Sequence, residues 1–284
     1  MKKLLFVAAS ASAILVSTPA LADNSNSVVT QTNASNSATI DQTGSLSGGD
    51  SNVNQSGVLN LATVTQSDDG TGGTPINYST IDQSGNENVA TVSQITSTLA
   101  IATYSTIGQS GSYNTAYVEQ VDDLQSSTIY QSSDSNMADI YQGDATLALT
   151  DESYGNASTV SQSGGGLHDA DVWQYGRGGY AYIEQSGTSD LAQIYQSGDT
   201  NASTIIQSAS NSYAGNGQYG DNNSSYINQD GTGQYAVVLQ YGSNNGSDVW
   251  QSGDSNYANV WQSTDNNYSS VVQSGSGNYA SVSQ

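Results

Sequence analysis

The chain holds one histidine, His168, and no cysteine. No Ser–His–Asp or Cys–His arrangement is set up by spacing, and no G-x-x-x-x-G-K-[ST] phosphate loop occurs. We read the chain as non-enzymatic and without a cofactor, and His168 as filler in a core position. Asp-rich turns, Asp68-Asp69-Gly70 and Gly253-Asp254, could hold Ca²⁺ weakly. A calcium-binding roll, however, needs a nine-residue period that is missing here. The side chains with strict spacing are amides, and their chemistry is hydrogen bonding.

Ten steps of 11 residues link Gln174, Gln185, Gln196, Gln207, Gln218, Gln229, Gln240, Gln251, Gln262, Gln273 and Gln284. The same ladder runs upstream through Gln31, Gln42, Gln55, Gln66, Gln83, Gln94, Gln109, Gln120, Gln131, Gln142 and Gln162, where some steps carry a short insertion. We take these 22 Gln as the assembly ladder. Two residues before each Gln stands Val or Ile, except at Asn216. Four before stands Ala or Ser, and six before stands Asn in 13 cases. His168 takes one of the Asn positions.

This unit, N-x-[AS]-x-[VI]-x-Q, specifies every second residue over seven. That is the period of a strand, whose successive side chains point to opposite faces. Four residues then follow, with Gly commonly two after the Gln, as at Gly231, Gly242, Gly253 and Gly275. Gly supplies the positive φ that a tight turn demands. Ser and Ala alternate at the position four before Gln, failing only at Ala181, so the full repeat is 22 residues and two strands. Insertions fall in turns, notably at Asp68–Thr74 and Gly143–Glu152.

These features predict an all-β solenoid of eleven strand-turn-strand-turn coils, with two parallel sheets face to face. An antiparallel meander would share the 11-residue period, but coils place Ser over Ser and Ala over Ala. Inward amides stacked one coil apart can bond to each other, which offsets the cost of burying them. Outward, Tyr213, Tyr235, Tyr257 and Tyr279 recur every 22 residues and predict an aromatic column. Tyr141, Trp173 and Tyr195 predict another. Gly179, Asp190 and Asn216 are irregular at inward positions, and we expect them to slow premature assembly.

Lys2 and Lys3, the apolar run Leu4–Val16 and the Ala20-Leu21-Ala22 pattern read as a secretory signal peptide over residues 1–22, followed by the repeat domain over 23–284. Beyond residue 22, Arg177 is the one base against 25 acids, a net charge of −24. Such a chain has no cations to meet phosphate, which argues against nucleic acid or an anionic membrane as partner. There is no other long apolar run, so no membrane span is expected.

The spacing Asn245-x5-Gln251-Ser252-Gly253-x2-Asn256-x-Ala258-x3-Gln262, repeated over Asn267–Gln284, resembles the curlin repeat of curli amyloid fibre subunits. The resemblance implies a secreted protein that polymerises at the cell surface into biofilm matrix fibres serving adhesion and colonisation. It also implies a nucleator subunit, an outer-membrane export pore and a periplasmic chaperone as partners. Strands at both ends of the repeat predict self-association, because unpaired backbone groups invite another strand. The alternative is a monomeric extracellular solenoid, an adhesin or an ice- or calcium-binding protein.

Overall fold

A computed structural model describes residues 5–8, 14–16, 25–45, 48–68, 77–96, 102–143, 154–208 and 210–284. Alternation of apolar or small residues with polar ones makes nearly every repeat unit a strand, buried at every second position. The strands are β1 (Leu5–Ala8), β2 (Ile14–Val16), β3 (Asn26–Gln31), β4 (Ser37–Gly44), β5 (Gly49–Val58), β6 (Leu61–Asp68), β7 (Asn77–Asn86) and β8 (Val89–Thr96). Next come β9 (Tyr104–Gln109), β10 (Thr115–Val121), β11 (Ser126–Gln131), β12 (Met137–Gln142), β13 (Ala157–Gln162), β14 (Asp169–Tyr175), β15 (Tyr180–Gln185) and β16 (Leu191–Ser197). The series ends with β17 (Ala202–Gln207), β18 (Tyr213–Tyr219), β19 (Ser224–Thr232), β20 (Tyr235–Tyr241), β21 (Gly246–Asp254), β22 (Tyr257–Gln262), β23 (Tyr268–Ser274) and β24 (Tyr279–Ser283).

Odd-numbered strands form one sheet and even-numbered strands the other, each in chain order. Every pairing is parallel, as in β9–β11 and β20–β22, so the molecule is a β-solenoid and the meander is excluded. Register places Ile over Ile and Gln over Gln, as Ile107↔Ile129 and Gln109↔Gln131. The Ser/Ala alternation proves to be the identity of the sheet: Ser51, Ser79 and Ser105 stack in the odd sheet, Ala62, Ala90 and Ala116 in the even one. Between the sheets lies one continuous core of Val, Ile and Ala.

Three features differ from the sequence expectation. β5 and β7 each run to ten residues, not seven, because the turn backbone of one coil pairs with that of the next, as Gly57 with Gly85. A second positive φ falls directly before the Asn slot, on residues as ill-suited to it as Leu59, Tyr113 and Leu167. There the amide donates back to the preceding coil, as Tyr113 N–H to Asn86 O at 3.0 Å. Finally, β1 and β2 lie within the segment read as a signal peptide. They pair with β3 and β4, so the full-length chain stacks one coil more than the eleven of the repeat. Lys2, Lys3, Ala20-Leu21-Ala22, Asp69-Gly70 and most of the two long insertions lie outside the described residues.

Candidate assembly site

The 22 Gln side chains stand in two columns, one per sheet, and every neighbouring pair is bonded. In the odd sheet Gln31 Nε2 donates to Gln55 Oε1 at 2.6 Å, Gln109 to Gln131 at 2.8 Å, Gln229 to Gln251 at 2.9 Å, and Gln251 to Gln273 at 2.8 Å. In the even sheet Gln42 donates to Gln66 at 2.7 Å, Gln174 to Gln196 at 2.9 Å, Gln218 to Gln240 at 2.9 Å, and Gln262 to Gln284 at 3.1 Å. The remaining ladder members, such as Gln83, Gln162, Gln185 and Gln207, continue the same chains of bonds. The second amide proton crosses to the opposite sheet. Gln94 Nε2 donates to Tyr78 O at 3.0 Å, Gln131 to Thr115 O at 2.9 Å, Gln229 to Tyr213 O at 2.9 Å, and Gln240 to Ser224 O at 3.0 Å. Gln174 and Gln284 make longer versions of this bond, both 3.2 Å, to Ala157 O and Tyr268 O. A Gln within the stack therefore ties its coil both to the next coil and to the facing sheet. The donors all point toward the C-terminal coil.

The Asn column works differently from the amide-to-amide ladder that its spacing predicts. Asn223 Oδ1 accepts the backbone N–H of Asn245 at 3.0 Å, and Asn88 Oδ1 that of Asn114 at 3.0 Å. Nδ2 donates to turn carbonyls, as Asn256 to Ser252 O and to Gly275 O, both at 3.0 Å. A side chain in this slot reaches the backbone of its own turn, and Gln234, which takes an Asn slot, does the same. Asn thus closes the turn and splices it to the coil above.

The irregular positions sit in adjacent coils without forming one cluster. Gly179 takes an Asn slot, its N–H bonded to Asn156 Oδ1 at 2.8 Å; a Cβ there would lie 2.9 Å from that oxygen. His168 and Asp190 take successive Asn slots in the even sheet and are both fully buried. His168 Nε2 donates to Ser163 O at 2.8 Å, and Nδ1 faces the Asp190 N–H at 3.4 Å. Asp190 Oδ1 accepts from Ser212 N–H at 3.0 Å; Oδ2 lies 3.5 Å from His168 Nδ1. Burial pushes the Asp190 carboxyl up to about 6, partly opposed by the Ser212 bond. Burial also holds the His168 imidazole below its ordinary value, against the bonds to backbone carbonyls. Asn216 interrupts the Val/Ile column between Ile194 and Val238, and its Nδ2 bonds Ser203 Oγ across the core.

Outside, Tyr213, Tyr235, Tyr257 and Tyr279 form one stack, with centroids 5.0, 4.7 and 5.0 Å apart and planes within 21°. Tyr141 stacks on Trp173 at 6.1 Å. Tyr195 departs from the expected column: its ring leans on Tyr175 and Tyr219 instead, because Tyr follows the ladder Gln in those coils. No group of three His, Cys, Asp or Glu that could hold a metal ion occurs among the described residues. Asp254, in the turn considered for Ca²⁺, is exposed. No helix among the described residues is long and apolar enough to cross a membrane.

The family model described as the curlin associated repeat matches this chain twice, over residues 220–253 and 253–284. This is the family whose spacing the sequence resembles. A search of curated proteins gave no match.

Proposed function

We propose that the chain is a secreted structural subunit that stacks end to end into extracellular, curli-like amyloid fibres for biofilm matrix, adhesion and surface colonisation. Support comes from the curlin associated repeats at 220–284. The observation that carries the reading is the polarity of the stack. Each coil offers Gln donors and Asn acceptors to the next coil and the reverse to the one before. One edge of the pile is therefore complementary to the other edge, and a second copy continues the ladders in register. Two like edges would set Gln donor against Gln donor and leave buried amides unpaired, which is costly. The 22-residue unit pairs equally well with any other copy of itself, so growth has no built-in stop.

Under this proposal the leader is cleaved after Ala22, and the Gln ladders are the assembly surface. A nucleator subunit, an outer-membrane pore and a periplasmic chaperone are the partners the family resemblance suggests. The protein acts as a scaffold and has no catalytic role. The test is seeded growth. Sonicated fibres of the 23–284 chain should elongate with fresh protein and give a meridional reflection near ~4.8 Å. A chain that sediments as a compact single molecule after days at high concentration refutes the proposal.

A further inference from the structure

The acids of this chain are unevenly placed. On the outer face of the even sheet, Glu119, Asp139, Asp169 and Asp171 crowd the middle coils. Burial and the neighbouring carboxylates Asp171 and Asp169 push Asp139 up to about 6. From β16 onward that face carries no charge at all. Its outward residues are Leu, Gln, Tyr and Ser in β16, Tyr and Gly in β18, Tyr, Val and Leu in β20, Tyr, Asn and Trp in β22, and Tyr and Ser in β24. Five consecutive uncharged coils occur in a chain with 25 acids. The odd sheet over the same region carries Glu184, Asp230 and Asp248. The next longest uncharged run, over β9, β11 and β13, spans three coils and presents mainly Ser and Thr.

Large aromatic groups are open to solvent on this face: Tyr241 is 37% exposed, Trp261 48% and Tyr279 72%. The Tyr rings of the column lie face to face, so they turn their edges outward. That geometry does not suit a flat sugar, which needs a ring face. It suits interdigitation with another set of ridges. On one side the face is bordered by turns that carry Asp199, Asp221 and Asp265, and on the other by the ends of β19 and β21, which carry Asp230 and Asp254. An apolar centre inside a polar rim is the anatomy of a protein interface.

We propose that this face is a lateral docking surface for the same face of a second copy. Self-pairing here buries aromatic columns without bringing acid against acid in the centre; the acidic parts of the other faces make it unfavourable elsewhere. Five coils at about 4.8 Å and seven residues at about 3.3 Å give a patch of roughly 550 Å² per copy. The total, about 1,100 Å², sits at the low end for a specific interface, so two free monomers pair weakly. In a fibre the patch returns once per subunit, and linked patches bind with avidity. This strength rests on the end-to-end stacking proposed above; the face itself does not. The acidic rims repel, so pairing tightens with salt.

The test places one charge at the centre of the patch without changing its shape. Asn259→Asp is isosteric and lies outward in β22; Asn228→Asp adds the same charge to the odd sheet in β19. Elongation rate and fibre width are read separately, by dye fluorescence and by electron microscopy. Both variants should elongate within about twofold of the unaltered chain, with Asn228→Asp fibres keeping their paired width and Asn259→Asp fibres one solenoid wide. Equal widths for all three, or loss of pairing in both variants, overturns the proposal. Should no chain form fibres, the stacking reading has failed, and equilibrium sedimentation decides this one. Dimerisation weakened at least tenfold by Asn259→Asp alone supports it; a monomer in all three refutes it.

Discussion

Replacing Gln218 by Leu tests the amide ladder where it is most enclosed. Gln218 accepts from Gln196 Nε2 at 2.8 Å and donates to Gln240 Oε1 at 2.9 Å and Ala202 O at 3.0 Å. Leu keeps the volume and removes all three bonds. A Gln196 N–H and the Gln240 Oε1 are then buried without partners, at about 1–3 kcal/mol each. The extra apolar burial of Leu returns about 1–2 kcal/mol. The net loss is about 1–4 kcal/mol, a factor of roughly 5 to 1,000 in the folding equilibrium. Gln284→Leu is the matched control. That residue is exposed, holds one ladder bond at 3.1 Å and one backbone bond at 3.2 Å, and water replaces both. Its cost should stay under about 1 kcal/mol. Guanidinium titration followed by far-ultraviolet circular dichroism measures both. If the two variants lose the same stability, the ladder is decoration and the fold rests on its aliphatic columns alone.

Asp190→Asn should raise stability at pH 7 by about 1–3 kcal/mol, and the gain should vanish by about pH 4. The folded pKa, about 6, lies above the unfolded value, so the stability that Asp190 contributes is full below the ordinary carboxyl value of 3.8 and lost as pH rises through about 6. His168, its pKa lowered, works in the opposite direction, so the comparison is between variant and parent at each pH; a pH-independent difference refutes the assignment. Gly253→Ala should cost at least about 2 kcal/mol, since its φ is +93° and a Cβ would lie 2.3 Å from Gly275 O; Gly277→Ala, with φ +69° and nothing within 4 Å, should cost about 1 kcal/mol. Equal losses on thermal unfolding would show that coil contact is irrelevant there. Tyr235→Ala removes ring contacts at 5.0 and 4.7 Å and should cost about 1–3 kcal/mol by the same titration, whereas a neutral result makes the column a by-product of strand preference. Gln234→Asn should gain about 1 kcal/mol, because the longer Gln makes both turn bonds at 2.7 Å yet leaves its buried Oε1 without a partner; a loss would refute this.

Much of this architecture is legible because one rule is applied to every coil. The two-residue period of Asn256, Ala258, Val260 and Gln262 gives the strand, and the Ser/Ala alternation separates the sheets. What the sequence leaves unread depends on the slot in the coil and on backbone already in place. Whether an inward amide meets its like or its own turn is decided by its slot in the coil and not by its length, since Gln234 in an Asn slot also donates to turn carbonyls. A left-handed Tyr113 or Leu167 has no local signature, since the coil beneath supplies the bond that holds it there. The lean of Tyr195 away from Trp173 follows from rings at Tyr175 and Tyr219, a contest that spacing alone cannot rank.

The substitutions in the even-sheet Asn column show what that position requires. From Asn136 onward the column reads Asn, His, Asp, Ser and Gln, a run with no common size or charge. Yet Asn136 Oδ1 accepts from His168 N–H at 3.1 Å, and His168 Nδ1 faces Asp190 N–H at 3.4 Å. Asp190 Oδ1 accepts from Ser212 N–H at 3.0 Å, and Ser212 Oγ from Gln234 N–H at 3.2 Å. His168, Asp190 and Ser212 each keep one acceptor aimed at the first amide of the next coil, whereas Gln234 leaves its Oε1 without a partner. That amide begins a strand whose N–H would otherwise be buried unbonded, at a cost comparable to a lost hydrogen bond. The property most of the column shares is therefore an acceptor atom at a fixed height, and Asn is its commonest carrier because its amide also donates to the turn at that reach. The same logic explains why a buried carboxylate with a raised pKa is tolerated here. Neutral or charged, Asp190 keeps an oxygen on the Ser212 amide, so the splice between coils survives its titration while the energy of the coil changes.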